Sequence, residues 1–148
     1  MLAGGLDVPD SVQGKSFAEY ITTGGSAIDP SGGAALLQCA HPFGEWTRTP
    51  GASPDDLSSG REYRGLRTLT HKYVRTLSGP WLLFDLEADP YEMTNIVSDP
   101  SQQSLVQELD GVLSAKLAEC GDPFASGDDM ITKWGYVTAP NGTVPYTN

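Results

Sequence analysis

Apolar residues recur along the chain with two different periods, and the switches between them mark the elements. Between residues 99 and 121, Leu105, Leu109, Val112, Leu113, Leu117 and Cys120 return at spacings of three and four, with Glu108, Asp110 and Lys116 off or beside that stripe. The spacing predicts an amphipathic helix with one face for packing on a sheet. Asp99 stands as its N-cap, Pro100 at its first helical position and Gly121 just past its end. Gly111 in its interior costs about 1 kcal/mol against Ala without overturning the helix. Upstream, residues 61–77 (REYRGLRTLTHKYVRTL) are rich in aromatic and β-branched types and predict a hairpin turning near residues 69–71. After Gly79-Pro80, the run WLLFDL at 81–86 has strand length and closes on the turn residues Glu87-Ala88-Asp89-Pro90. Residues 34–39 (AALLQC) read as a further short, buried strand, and Phe17, Tyr20 and Ile21 at i, i+3 and i+4 predict only a short helix. The expected fold class is α+β: a small antiparallel sheet of four strands packed against a C-terminal helix, with long Gly/Pro-rich loops.

Composition sharpens this picture. The 17 Gly and 11 Pro of 148 residues gather at 1–9, 24–33, 42–60 and beyond 121, a density of turn formers that excludes a helical bundle. Residues 41–60 (HPFGEWTRTPGASPDDLSSG) have no sustained period, and loops of that size inside compact domains usually carry function. The tail after Gly121 is expected to be irregular apart from a short apolar contact at 134–137. No internal repeat is present. A length of 148 residues is enough for one domain with its own core.

A formal net charge of -10 argues against nucleic-acid binding, which needs a clustered cationic surface. No apolar run of membrane-spanning length and no basic-then-apolar leader is visible, so neither a membrane partner nor a signal peptide is expected. The charge is segregated, however. Arg61, Arg64, Arg67, Lys72 and Arg75 share a fifteen-residue stretch with the single acid Glu62, so that ribbon carries +4 and the remainder -14. Such a ribbon can face an anion through arginine forks. The preferred reading is that it pairs with acids such as Glu87, Asp89 and Glu92, or with a partner surface, because acids outnumber bases everywhere else.

Candidate chemistry is sparse. Gly14-Lys15-Ser16 matches the last positions of a phosphate-binding loop, but the glycine required five residues earlier is Pro9. His41 and His71 are the only histidines, too few for a His-rich metal site. Asp55-Asp56 and Asp128-Asp129 lack the alternating ligands and distal Glu of a calcium loop. Cys39 and Cys120 sit in no nucleophile motif and read as small core hydrophobes, with a disulfide as the minority alternative. Trp81 is expected in the core, which leaves Trp46 and Trp134 as exposed aromatics for stacking on a sugar. Asn141-Gly-Thr is a glycosylation sequon by pattern alone.

Two strings change the scale of the question. Arg64-Gly-Leu-Arg-Thr-Leu-Thr-His-Lys-Tyr-Val-Arg, followed by Trp81-Leu-Leu-Phe-Asp-Leu-Glu-Ala-Asp-Pro-Tyr-Glu-Met-Thr-Asn-Ile, resembles the C-terminal subdomain of the arylsulfatase family, within the alkaline phosphatase superfamily. Asp85, Leu86, Asp89, Pro90, Glu92 and Asn95 match the family's D-L-x-x-D-P-x-E-x-x-N pattern, and Phe84 stands where the family usually has Tyr. Leu2-Ala-Gly-Gly-Leu-Asp-Val-Pro and Gly14-Lys-Ser-Phe resemble the stretch that closes the family's catalytic domain. The resemblance implies three parts: residues 1–30 as the end of the catalytic domain and a connector, 31–124 as the subdomain of sheet and helix, and 125–148 as a tail. Family members hydrolyse sulfate esters with a formylglycine made from a C/S-x-P-x-R motif, beside a calcium. That motif does not occur in this sequence, so the resemblance assigns no catalytic or metal-binding residue here. No cofactor is expected in this chain, and calcium is implied only for the full-length enzyme.

The partner implied is an upstream sulfatase catalytic domain, with a sulfated substrate at the shared rim and self-association of the isolated chain through the surface meant for that domain. The rim and docking candidates are Trp46, Arg48, Arg61, Arg64, Arg67 and Lys72. Two other readings stand beside this one: a stand-alone module binding sulfated or acidic glycans, and the same subdomain from a phosphodiester or phosphonate hydrolase.

Overall fold

The computed structural model describes residues 9–12, 14–25, 29–40 and 62–139, and divides the chain into two compact units, Met1–Ala35 and Leu36–Asn148. In the first unit, the described part carries one short helix, α1 (Ala18–Thr22), with the Phe17 and Tyr20 rings edge to face at 6.4 Å. Gly24 and Gly25, both at positive φ, turn the chain out of it.

The second unit is built on a four-stranded sheet in the order β1 (Ala35–Cys39), β2 (Tyr63–Arg67), β3 (His71–Thr76) and β4 (Gly79–Asp85). The expected hairpin is β2–β3, in antiparallel register from Tyr63 opposite Thr76 to Arg67 opposite Lys72. Thr68 makes its turn: its N–H donates to the His71 carbonyl at 2.9 Å, and its hydroxyl accepts from the Thr70 and His71 N–H groups. Leu77-Ser78 joins β3 to β4, whose register slips between Val74 and Arg75. That slip leaves Trp81 as the extra residue of a β-bulge. β1 lies at the sheet edge and is half-buried rather than the buried strand expected, because an edge strand has a neighbour on one side only.

A 3-10 turn (Pro100–Gln102) leads into α2 (Gln103–Glu119), with the Asp99 carboxylate accepting from the Ser101 N–H at 2.8 Å. Asp99 and Pro100 thus start the 3-10 turn rather than α2 itself, whose N-cap is Gln102 with no side-chain hydrogen bond. The buried stripe is Val106, Leu109, Leu113 and Leu117. Val112 is 39% exposed and Cys120 is exposed, a correction to the stripe read from sequence. One turn is 3.6 residues, so Val106 lines up with Leu109 and Leu113 while Val112 rotates outward. This face packs on β2, β3 and β4, where Leu66, Tyr73 and Leu83 are completely buried. Full burial of side chains of this size contributes about 1.5–3 kcal/mol each. Gly111 meets nothing within 4 Å at its Cβ position, so Gly111→Ala is expected to stabilise the protein by about 0.5–1 kcal/mol, read as a raised urea midpoint.

The tail departs from expectation. It carries a further helix, α3 (Gly127–Trp134), started by the Ser126 hydroxyl accepting from the Asp129 N–H at 3.1 Å and ended by Gly135 in the left-handed conformation. Ser126 and the acids Asp128 and Asp129 are the helix-start signal, and the acids complement the helix dipole. Trp134, Tyr136 and Val137 are exposed, so the apolar contact expected there is absent among the described residues.

Candidate functional site

Because strand side chains alternate, the basic ribbon divides between the two faces of the sheet. Arg64 and Arg75 face α2 together with Leu66 and Tyr73, whereas Arg67 and Lys72 face the other way. Each pair separated by three residues is split between the faces.

On the α2 side, Arg64 and Arg75 are direct cross-strand partners, an arrangement that repels unless each charge is answered. Arg75 is answered by Asp110 on α2, its Nη1 donating to Oδ1 at 2.9 Å and to Oδ2 at 3.0 Å, with the Ser114 hydroxyl at 3.1 Å. The Tyr73 hydroxyl donates to the same carboxylate at 2.8 Å. Burial, then this hydrogen bond and the Asp110 charge, push the Tyr73 phenol well above its usual range.

Arg64 is answered by the chain that leaves α2. Gly121, at φ 69°, sends the Asp122 N–H back to the Leu117 carbonyl at 2.9 Å and its own N–H to the Ala118 carbonyl at 3.2 Å, a Schellman turn. The turn delivers the Asp122 carboxylate to Arg64: Nε donates to Oδ2 at 2.5 Å and Nη2 to Oδ1 at 3.3 Å. Arg64 Nη1 donates to the Cys39 and Tyr63 carbonyls, both at 2.9 Å, and the guanidinium lies 4.9 Å from the Phe124 ring centroid. Arg64 is 1% exposed, so its charge is directed inward among its own chain's groups. Burial raises the Asp122 pKa, but the Arg64 hydrogen bond, the Phe124 N–H and the Arg64 and Lys133 charges outweigh that and hold it below the usual carboxylate range.

The face away from α2 is different. There Leu37, Tyr63, Arg67, Lys72, Trp81 and Leu82 line a groove of about 420 Å³ with Gln38 and Val74. The bulge explains why the consecutive residues Trp81 and Leu82 both line it. Trp81 is therefore a half-buried groove wall, not the core residue expected, its ring centroid 6.2 Å from that of Tyr63. Glu92 sits at the cationic end, 2.6 Å from Lys72 Nζ and 3.6 Å from Arg67. Glu92 has φ 56°, a conformation that disfavours side chains, and its two cation contacts compensate.

The residues that matched the family pattern hold this edge together. Asp85 accepts from the Glu87 and Ala88 N–H groups, which keep its carboxyl below the ordinary range, and Asp89 accepts from the Thr94 N–H at 2.7 Å. Asn95 bridges β4, accepting from the Leu83 N–H at 2.9 Å and donating to the Trp81 carbonyl at 3.0 Å.

Among the described residues, the acids that answer the ribbon are Asp122, Asp110 and Glu92. Of the acids named from sequence, Glu92 alone is among them in the described ion pairs. No signal of periodicity marks Asp122; the Gly121 helix stop was the available clue. Trp46, Arg48, Arg61, His41, Asp55, Asp56 and the sequon at Asn141 lie outside the described residues, as do residues 2–8. Cys39 and Cys120 form no disulfide, and neither is a fully buried core residue. Among the described residues no three His, Cys, Asp or Glu side chains group to hold a metal ion. No helix among the described residues is long and apolar enough to cross a membrane.

No family model matches the chain. It is 34% identical to the ulvan-active sulfatase of Formosa agariphila over 143 residues, which is 95% of this chain and 25% of that protein. A protein solved in complex with its substrate D-glucosamine-2-N,6-O-disulfate superposes on 80% of the chain with a TM-score of 0.59 and 22% identity, using 22% of its own length. A Bacteroides fragilis protein assigned as a sulfatase superposes on 78% of the chain with a TM-score of 0.52 and 26% identity, again over 22% of its length. The chain therefore spans about a quarter of the length of the relatives it matches. With the four-stranded sheet and helix in place, and the match running along nearly the whole chain, this is a C-terminal subdomain of a sulfatase-like protein.

Proposed function

We propose that this subdomain completes a sulfuric ester hydrolase, docking on a catalytic domain supplied upstream and forming part of the rim of its substrate pocket. The supporting observation is the 34% identity to an ulvan-active sulfatase along 95% of the chain and a quarter of that enzyme. In this reading the nucleophile and the calcium belong to the upstream domain. The rim is furnished by Trp46 and Arg48 in the 42–60 loop, with Arg61, Arg67 and Lys72; Arg64 is left out because its guanidinium is buried on Asp122. Similarity to a sulfatase favours sulfate over a phosphodiester or phosphonate, and an upstream in-frame C/S-x-P-x-R motif in the coding sequence is the expected finding.

Two measurements test the reading. The purified 148-residue chain is expected to turn over an aryl sulfate no faster than its heat-killed control, and any excess rate refutes it. In the full-length enzyme, removing residues 42–60 is expected to change the kcat/KM ratio between two sulfated saccharides by about tenfold, the scale that a few lost pocket contacts produce. An unchanged ratio removes the loop from the rim.

A further inference from the structure

We infer that the groove on the sheet face away from α2 is a binding site for an anionic saccharide, a ring bearing sulfate or carboxylate. Three observations carry this. First, the groove pairs two aromatic side chains with a cationic end: Tyr63 and Trp81 lie 6.2 Å apart with planes tilted by 52°, and Arg67 and Lys72 close the other end. Aromatic faces stack on the C–H surface of a sugar, and a guanidinium fork takes sulfate or carboxylate through two parallel hydrogen bonds.

Second, donors remain available. The Arg67 side chain is 55% exposed, and among the described residues its one ion pair is the 3.6 Å approach to Glu92, too long to be a hydrogen bond. The amide of Gln38 and the hydroxyl of Tyr63 also line the groove without a hydrogen-bond partner among the described residues. By contrast, the arginines on the α2 face are held by short bonds to Asp122 and Asp110. Third, the volume of about 420 Å³ falls in the range of small-molecule sites.

Charge complementarity selects the ligand class. In a chain of net charge -10, an anion finds its favourable surface on this ribbon, and two cations against the single carboxylate of Glu92 leave the groove's end positive. An anion placed on Arg67 replaces the weaker half of the Glu92 bridge and leaves the 2.6 Å Lys72 contact intact. The choice of a saccharide rests on the substrate-rim reading above; the choice of an anion stands on the groove itself.

The test is calorimetric titration of the 148-residue chain with a sulfated disaccharide, a uronate-containing disaccharide and cellobiose. At least one charged sugar is expected to bind one to one, weakening as salt rises, with cellobiose at least fivefold weaker. Arg67→Ala is expected to weaken charged-sugar binding at least fivefold at an unchanged melting temperature, and Arg67→Lys to weaken it less. The two charged arms tell sulfate from carboxylate. Equal affinity for cellobiose, unchanged binding in Arg67→Ala, or no saturable binding of either charged sugar overturns the proposal. So does amide exchange in the full-length parent, if residues 63–67 and 81–84 are strongly slowed there relative to this chain, because a protein neighbour then fills the groove. The activity measurements above leave this outcome untouched, so a failed groove and a failed rim are distinguishable.

Discussion

Asp122→Ala is expected to destabilise the fold by about 3–5 kcal/mol, the scale seen when one partner of a buried ion pair is removed. The variant leaves the Arg64 guanidinium, 1% exposed, with two carbonyls and a ring but no counter-charge. It also removes the carboxylate that accepts the Phe124 N–H at 2.7 Å and holds the turn after α2. Urea unfolding followed by circular dichroism reads the loss, and a change below about 1 kcal/mol contradicts the assignment, since it would be no more than an exposed pair contributes. Arg64→Met combined with Asp122→Ala is expected to recover part of the stability, because removing both charges abolishes the uncompensated one.

The same pair sets a pH dependence. The folded Asp122 carboxyl lies below its ordinary range, so its contribution is complete at pH values above that range and is lost as pH falls through it toward the lower folded pKa. The wild-type chain should therefore lose more stability than Asp122→Asn on acidification below about pH 4–5, where unfolded carboxylates begin to protonate. Parallel acid profiles for the two proteins would show that Asp122 does not carry this dependence.

Gly65→Ala is the second large effect, with an expected loss of about 2–3 kcal/mol, the upper part of the range for overpacking a tight interior. A glycine within a strand ordinarily weakens it, so alanine should help. Here the sign reverses, because a Cβ at Gly65 would lie 2.5 Å from the Tyr73 carbonyl oxygen and 3.0 Å from Val74 Cγ2. The first of these is backbone, so β3 itself must move. Gly65 is on the groove face between Tyr63 and Arg67, and its register partner Val74 lines the groove, so such a shift also alters groove shape. Gly111→Ala, in open space, is the matched control with the opposite sign. A Gly65→Ala midpoint within 0.5 kcal/mol of wild type, the ordinary range for surface changes, would show that β2 and β3 separate freely.

Both predictions turn on the string that carried the family resemblance, through Arg64 as the partner of Asp122 and through Gly65 itself, and the structure gives the residues of that string mechanical roles. Arg64, Gly65, Asp85, Asp89, Glu92 and Asn95 respectively anchor the helix exit, allow close strand approach, turn the chain twice, bridge two cations and seal the β4 edge. A pattern of this kind identifies the subdomain because its turns and edges admit few alternatives. The groove proposed for a saccharide is lined by Arg67 and Trp81 of those strings together with Tyr63 and Gln38 outside them.

The amino-acid order by itself determined the fold class and the elements up to α2, whereas α3 lay in the stretch read as irregular. Aromatic and β-branched residue types marked the β2–β3 hairpin, threefold and fourfold spacing marked α2, and Asp99, Pro100 and Gly121 marked its ends, because each of these signals acts over fewer than five residues of local backbone. It also contained the division of the basic ribbon, since residues three apart on a strand must face opposite ways. What only the tertiary structure decided is which acid meets which base. Asp122 lies 58 residues from Arg64 and Asp110 lies 35 from Arg75, separations over which no local periodicity constrains a pair. The bulge that turns Trp81 out of the core and into the groove is likewise a property of two strands in register, which neither strand specifies alone.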